Sequence, residues 1–100
     1  MSYVRVPGER RDHRVLMFTT SGCTPCRKAK SFFEGRGIEY EYLELDTADQ
    51  ETRREAMLTI GDYIPSWGTQ FIFPIIIIDE LISLIGYSER KLAKVFDTVE

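Results

Sequence analysis

The hydrophobic positions along the chain change from a strand-like run to helical spacing near the N terminus. Residues 14–19 form a short, mostly apolar run that predicts a buried strand. In residues 24–34, Cys26, Ala29 and Phe33 recur at the spacing of one helix face, which predicts a helix with that face buried. Together these patterns predict a strand that leads directly into a helix.

A second strand and a second helix are predicted further along the chain. Residues 38–45 have the pattern of a strand, and the change in their hydrophobic alternation at Tyr42 is typical of a β-bulge. Residues 47–50 match a capping box, so we expect a helix that begins at Thr47 and ends before Gly61. The residues expected to be buried on this helix are Ala56, Met57 and Ile60.

The last third of the chain predicts a hairpin and a final helix. Four consecutive isoleucines at residues 75–78 leave no polar face, as expected of a central strand with helices on both sides. Asp79 and Glu80 form so short a connection that residues 81–85 can return only as an antiparallel strand. Ser88 suits the cap of a last helix, whose apolar stripe comprises Leu92, Val95, Phe96 and Val99. The predicted order is β-α-β-α-β-β-α, an α/β fold.

Length and charge limit the classes of protein to consider. One hundred residues suit a single domain, expected at residues 14–100 after a polar tail at residues 1–13. A net charge of −3 argues against nucleic acid as the main partner, since phosphate binding needs a concentrated basic surface. The longest apolar run, residues 71–78, is far shorter than the ~20 residues that span a bilayer. The polar N terminus does not resemble a secretory signal, so we expect a cytoplasmic protein without membrane contact.

The candidate chemistry lies in a Cys-x-x-Cys pair between the first strand and the first helix. Two residues between Cys23 and Cys26 bring both sulfurs within bonding reach at a helix start. The free N–H groups and partial positive charge there stabilise a thiolate, which predicts that Cys23 is the reactive cysteine. Pro25 suits the first helical turn, where no N–H partner is required. The alternative is a pair of cysteines that simply pack on a helix.

Several of these features together resemble the glutaredoxin family. The features are Cys23-Thr24-Pro25-Cys26 after a strand, Phe73-Pro74 entering a central strand, Asp79 at its end, and Gly86 before the last helix. The resemblance covers residues 14–96. It implies a thioredoxin-like fold, in which a four-stranded mixed sheet has helices on both faces.

The resemblance also implies roles for individual residues. Cys23 would be the nucleophile and Cys26 the resolving thiol, while Pro74 would be cis and would face the two cysteines. A proline that merely begins a strand is the alternative for Pro74. The backbone of Phe73, the residue before the proline, would contact glutathione.

Two other expected glutathione contacts depart from the family pattern. Where glutaredoxins often have a basic residue three positions before the first cysteine, this chain has Thr20. Where they have Gly-Gly followed by an acidic residue, this chain has Gly86, Tyr87 and Ser88, and Ser88 either contacts glutathione or caps the helix. Glutathione is therefore expected to be a poor reductant, and the electron donor is either glutathione or a thioredoxin-reductase-type system.

Residues 61–73 form a longer connection than the family usually has, and they lead into the candidate site. This segment contains Tyr63, Trp67, Phe71 and Phe73. Aromatic residues are favoured in recognition surfaces, which makes Trp67 a candidate substrate-binding residue. The alternative is that the aromatic rings fold inward and seal the edge of the sheet. The single histidine, His13, lies in the polar tail and is expected to be solvated.

The function predicted from these residues is a thiol–disulfide oxidoreductase. It would reduce protein disulfides or glutathione mixed disulfides through Cys23 and Cys26, acting as a monomer without a bound cofactor. The alternative is a glutaredoxin that binds or carries an iron–sulfur cluster, against which Pro25 argues weakly. A zinc site would need about four ligands, more than Cys23, Cys26 and His13 supply.

Overall fold

The computed structural model describes residues 3–65 and 72–97. Within these residues three helices and a five-stranded sheet are formed. The elements are β1 (Val4–Val6), β2 (Val15–Thr19), α1 (Thr24–Gly35), β3 (Tyr40–Glu44), α2 (Gln50–Tyr63), β4 (Ile75–Ile78), β5 (Ile82–Ile85) and α3 (Glu89–Phe96). No helix in the described part of the chain is long and apolar enough to cross a bilayer.

The strands lie in the order β1-β3-β2-β4-β5. Strands β2 and β3 are parallel, while β4 runs antiparallel to both β2 and β5, and β1 runs antiparallel to β3. A parallel pair requires a crossover, which α1 provides between β2 and β3. The predicted mixed α/β sheet is confirmed, with one strand more than the four expected.

Helices cover both faces of the sheet, and β4 shows how the sequence requires this. Ile76 and Ile78 pack with residues of α1 and α3, including Phe33 and Leu92. Ile75 and Ile77 point the other way and pack in a second cluster that includes Ile60 of α2. Because successive strand residues face opposite sides, a strand with an apolar layer on each side needs an apolar residue at every position, as the four isoleucines provide.

The extra strand comes from residues that were expected to form a polar tail. Strand β1 pairs with β3 in a register that places Val4 opposite Tyr42 and Val6 opposite Tyr40. Beyond β1, the Arg10 N–H donates to the Gly37 carbonyl (2.8 Å) and the Glu39 N–H donates to the Arg10 carbonyl (3.0 Å). With three residues, β1 is too short for hydrophobic alternation to predict.

The start of α2 differs from the capping-box prediction. The helix begins at Gln50, and its cap is Asp49, whose carboxylate accepts the Thr52 N–H at 2.8 Å. The Thr47 hydroxyl instead donates to the Glu44 carbonyl, at 3.4 Å. A carboxylate three residues before a free N–H makes the stronger cap, which explains the shift.

The end of α2 and one of its expected core residues also differ. The helix continues past Gly61 to Tyr63. Ala56 and Ile60 are buried as predicted, but Met57 is 41% exposed. Met57 adjoins Ala56 in sequence and so points about 100° away from it on a helix, toward solvent.

The bulge expected at Tyr42 is absent from β3. The pairing with β2 advances one residue at a time from Glu41 to Glu44, and the pairing with β1 is equally regular. The apolar positions shift because Tyr40 packs on the α1 face, whereas Leu43 packs on the α2 face. A strand that buries both faces has no single hydrophobic phase.

Candidate functional site

Strand pairing brings four predicted site segments to one end of the sheet. Thr19 ends β2, and the chain then runs through Thr20 to Cys23 at the start of α1. Since Phe18 pairs with Ile75, the next position in the antiparallel register places Pro74 beside Thr19. The Gly86 N–H donates to the Pro74 carbonyl at 2.7 Å, which brings the residue after β5 to the same end of the sheet.

Cys23 and Cys26 form a disulfide, with Cα atoms 5.2 Å apart. Cys23 is the N-cap of α1 in an extended conformation, and its sulfur accepts the Cys26 N–H at 3.2 Å. Cys23 is half-buried, whereas Cys26 is only 2% exposed. The predicted helix, its Pro25 in the first turn and the inward-facing Cys26 are confirmed. Of the two sulfurs, that of Cys23 is the more accessible to a large substrate.

Charge around the helix start is positive. Arg27 and Lys28 are exposed in the part of α1 that follows Cys26, and α1 has no acidic residue in its first turn. By contrast, α3 has Glu89 in its first turn and Lys94 in its last, which is the arrangement that suits a helix dipole. A groove of about 370 Å³ is lined by Arg27, Lys28 and Tyr87 among others. Arg27 and Lys28 therefore add positive charge to the turn that follows Cys23, while Glu89 lines the same groove with a negative charge.

The loop before Cys23 is held by an aspartate that the sequence reasoning missed. The Ser21 N–H donates to Asp46 Oδ1 at 3.0 Å, and the Ser21 hydroxyl donates to Asp46 Oδ2. The Ser21 hydroxyl and then its N–H lower the pKa of Asp46 below the usual range of a carboxyl. Asp46 follows β3, which is parallel to β2, so the residues after both strands lie at the same end of the sheet. The position of Asp46 just after a strand expected beside β2 is the feature from which its contact with this loop could have been predicted.

The peptide bond between Phe73 and Pro74 is cis, as expected. Pro74 is buried, while Phe73 is half-buried and packs against the cluster on the α2 face. Ile72 is 45% exposed, and a Cβ placed on Gly86 would lie 3.6 Å from Ile72 Cγ2. Gly86 has a φ of +81°, which favours glycine.

The remaining predicted site residues divide into three groups. Thr20 is half-buried in the loop that leads to Cys23. Ser88 caps α3 by accepting the Lys91 N–H at 3.3 Å, so the capping alternative is the one observed. Trp67 and Phe71 lie outside the described residues, as does Val99 of the predicted α3 stripe.

His13 lies at the opposite end of the sheet and is not simply solvated. Its Nδ1 lies 2.6 Å from Asp79 Oδ2, and its ring packs edge-on to Phe96 with centroids 5.2 Å apart. The side chain is 27% exposed. Across residues 3–65 and 72–97, no three His, Cys, Asp or Glu side chains cluster closely enough to hold a metal ion.

Comparisons with known proteins agree with this arrangement. The sequence profile of the Glutaredoxin family matches residues 15–82. The Gene 56 protein of Mycobacterium phage D29 is 26% identical over 83 residues, which are 83% of this chain and 82% of that protein.

Solved structures share the fold at low sequence identity. The glutaredoxin from Methanosarcina mazei Go1 is 23% identical with a TM-score of 0.80, covering 96% of this chain and 88% of its own. The methanoredoxin of Methanosarcina acetivorans is also 23% identical, with a TM-score of 0.78 and coverage of 91% and 90%. The family match covers β2 to β4, ends at the first residue of β5, and includes the cysteine pair at the start of α1. The chain therefore belongs to the glutaredoxin family, within the thioredoxin-like superfamily, and carries out thiol redox chemistry.

Proposed function

We propose that the protein reduces protein disulfides or glutathione mixed disulfides through the Cys23–Cys26 dithiol. The observation that carries the proposal is the position of Cys23. Its half-buried sulfur accepts the Cys26 N–H at the first turn of α1, and it bonds to a sulfur that is almost fully buried. Cys23 is thus the nucleophile and Cys26 the resolving cysteine.

The reaction proceeds by two thiol–disulfide exchanges. The Cys23 thiolate attacks one sulfur of the substrate disulfide, so that a bond forms between Cys23 and the substrate while the second substrate sulfur leaves as a thiolate. Cys26 then loses its proton and attacks Cys23, which releases the first substrate sulfur and closes the Cys23–Cys26 disulfide. Two electrons pass from the dithiol to the substrate, and a donor returns two electrons for the next cycle.

Three features of α1 favour the attacking thiolate. The Cys26 N–H donates to the Cys23 sulfur, and the partial positive charge at the helix start acts in the same direction. Arg27 and Lys28 add positive potential that salt partly screens, because both side chains are exposed. No acidic residue lies in the first turn to oppose these effects.

We propose that substrate lies beside Pro74, at the end of the sheet where Cys23 is located. The backbone of Phe73 lies at this end together with Thr20 and Gly86, and their proposed role is to bind substrate. Trp67 is proposed as a further contact on the basis of the sequence alone.

The electron donor is proposed to be a reductase of the thioredoxin-reductase type rather than glutathione. Thr20 supplies no cation near the candidate site. Tyr87 occupies the position of a family glycine and packs against the cluster on the α1 face. Both differences remove contacts that glutathione would use. Glutathione as donor is the alternative, and an assay with each donor supplied separately distinguishes them.

The cysteine variants test the proposed roles. Cys23→Ser should abolish disulfide reduction, because it removes the attacking sulfur. Cys26→Ser should accumulate mixed disulfides with substrate, detectable by mass spectrometry, because the attack occurs but resolution does not. Iodoacetamide at neutral pH should label Cys23 of the reduced protein faster than Cys26. Faster labelling of Cys26, or full activity in Cys23→Ser, would show that the roles are assigned incorrectly.

A further inference from the structure

The Asp46 carboxylate holds the loop that presents Cys23. Both oxygens of Asp46 accept hydrogen bonds from Ser21, one from its N–H and one from its hydroxyl. Only Gly22, with a φ of +73°, separates Ser21 from the N-cap residue Cys23. The conformation of Cys23 therefore depends on where Ser21 is held.

Asp46 is itself carried by a well-fixed stretch of backbone. The Leu45 N–H donates to the Thr19 carbonyl at 2.8 Å, which extends the pairing of β2 and β3 by one residue. Arg53 of α2 donates to the carbonyls of Leu45 (2.9 Å) and Ala48 (3.0 Å), on either side of Asp46. The backbone that carries the exposed Asp46 carboxylate is thus held on both sides.

We propose that Asp46 is a positioning residue for disulfide exchange, which holds Ser21 so that the Cys23 sulfur stays over the first turn of α1. The inference rests on the proposed function of Cys23. Asp46 acts only through Ser21, and it keeps the Cys23 sulfur where the Cys26 N–H reaches it.

Asp46 has two opposite effects on the Cys23 thiolate. Its negative charge disfavours a second anion, but the carboxylate is exposed, so solvent and salt screen this repulsion. Its hydrogen bonds hold the loop in the geometry in which the thiolate accepts an N–H, and a hydrogen bond to the charged form lowers a pKa. The positioning effect should therefore dominate.

The experiment measures the pH dependence of Cys23 alkylation by iodoacetamide in a Cys26→Ser background, where one thiol remains. Asp46→Ala should raise the pH midpoint by about half a unit or more, a roughly threefold loss of thiolate below the midpoint. Ser21→Ala, which keeps the backbone N–H contact, should raise it less. The double variant should shift it no further than Asp46→Ala alone, since both act through one contact.

Two control variants separate position from charge. Asp46→Asn removes the charge but keeps an oxygen that accepts the Ser21 N–H, and its NH₂ group can donate to the Ser21 hydroxyl. The pH midpoint of alkylation should therefore not rise. Glu55→Ala removes an exposed carboxylate from α2 and should leave the midpoint unchanged. A midpoint for Asp46→Ala equal to that of Glu55→Ala, or an equal rise for Asp46→Asn and Asp46→Ala, would overturn the proposal.

The outcomes remain separable from those of the proposed function. Alkylation needs neither substrate nor electron donor, so an inactive wild-type protein would overturn the oxidoreductase proposal and leave the positioning test valid. If Asp46→Ala fails to fold by far-UV circular dichroism, Ser21→Ala and Asp46→Asn decide the question. An unchanged midpoint in Ser21→Ala would then contradict the role of Asp46.

Discussion

At the scale of single residues, the Asp79 carboxylate joins the N-terminal segment to the turn between β4 and β5. Asp79 accepts from His13 Nδ1 at 2.6 Å and from the Arg14 N–H at 2.8 Å. The bond to His13 and then the Arg14 N–H lower the pKa of Asp79. A carboxyl whose pKa is lower in the folded state stabilises that state once it is ionised.

This contact predicts a pH-dependent stability difference for Asp79→Asn. Asparagine also tolerates the left-handed φ of +57° at this position, so the substitution chiefly removes charge. The free energy of unfolding at pH 7 should fall by up to about 1 kcal/mol, the upper range for a pair near the surface. The difference should shrink below about pH 4, as the wild-type carboxylate becomes protonated.

Urea unfolding at pH 7 and at pH 3 measures this difference, with Asp62→Asn on α2 as the control for a general loss of negative charge. A difference that stays constant between the two pH values would show that the turn geometry, and not the ionised carboxylate, is responsible.

At the scale of secondary structure, the cap of α2 offers a direct comparison of two adjacent candidates. Asp49→Ala should lower the melting temperature by a few degrees, because the Thr52 N–H loses its acceptor. Thr47→Ala should have a much smaller effect, since its hydroxyl lies before the helix start. The pKa of Asp49 is lowered to about 2, mainly by Thr52, so its contribution should be complete well above pH 4 and should be lost as the pH falls from about 4 toward 2.

Thermal unfolding followed by far-UV circular dichroism gives both melting temperatures. An equal loss in Thr47→Ala and Asp49→Ala would mean that the capping box, with Thr47 as the cap, describes this helix in solution.

The helices and strands predicted correctly are those whose hydrophobic pattern lies within the element itself. Cys26, Ala29 and Phe33 are all buried on α1, and the isoleucines of β4 are buried throughout. The errors arise where a contact distant in sequence decides the outcome. Tyr42 lies under the Lys30 ammonium at 3.8 Å, and Val4 forms a strand only because β3 offers a free edge. Asp46 was overlooked for the same reason, since its partner Ser21 lies 25 residues away.

At the scale of the whole molecule, residues 3–14 form a strap that pairs beside β3 and then crosses the end of the sheet opposite the cysteines. Besides β1 and the His13 contact, Arg10 donates to the Phe96 carbonyl at 2.7 Å and lies over the Phe96 ring. The strap therefore joins β3, α3 and the hairpin of β4 and β5. Its distance from Cys23 along the sheet implies a role in stability and not in chemistry.

Gly8 provides a test of the strap because its backbone packs directly on the start of β3. A Cβ at Gly8 would lie 2.5 Å from the Gly37 carbonyl oxygen and 2.7 Å from the Glu39 nitrogen. Since both are backbone atoms, Gly8→Ala should displace the strap and destabilise the fold by about 1–3 kcal/mol. Disulfide reduction by the folded variant at 25 °C should match that of the wild type.

Gly35→Ala is the matched control for Gly8→Ala. A Cβ at Gly35 meets no atom within 4 Å, and alanine favours the helix by up to about 1 kcal/mol. Differential scanning calorimetry should therefore give opposite changes in melting temperature for the two variants. A Gly8→Ala protein as stable as Gly35→Ala would contradict close packing of the strap.

Strand β1 also has a consequence for how the protein behaves at high concentration. An uncovered strand edge is a template on which another chain can add a strand and begin aggregation. Glu41 and Tyr42 of β3 are paired on both sides, with β2 and with β1. The new edge, β1, is only three residues long and has the exposed Arg5 at its centre. Short, charged edge strands resist intermolecular pairing, so β1 hinders another chain from adding a strand to this side of the sheet.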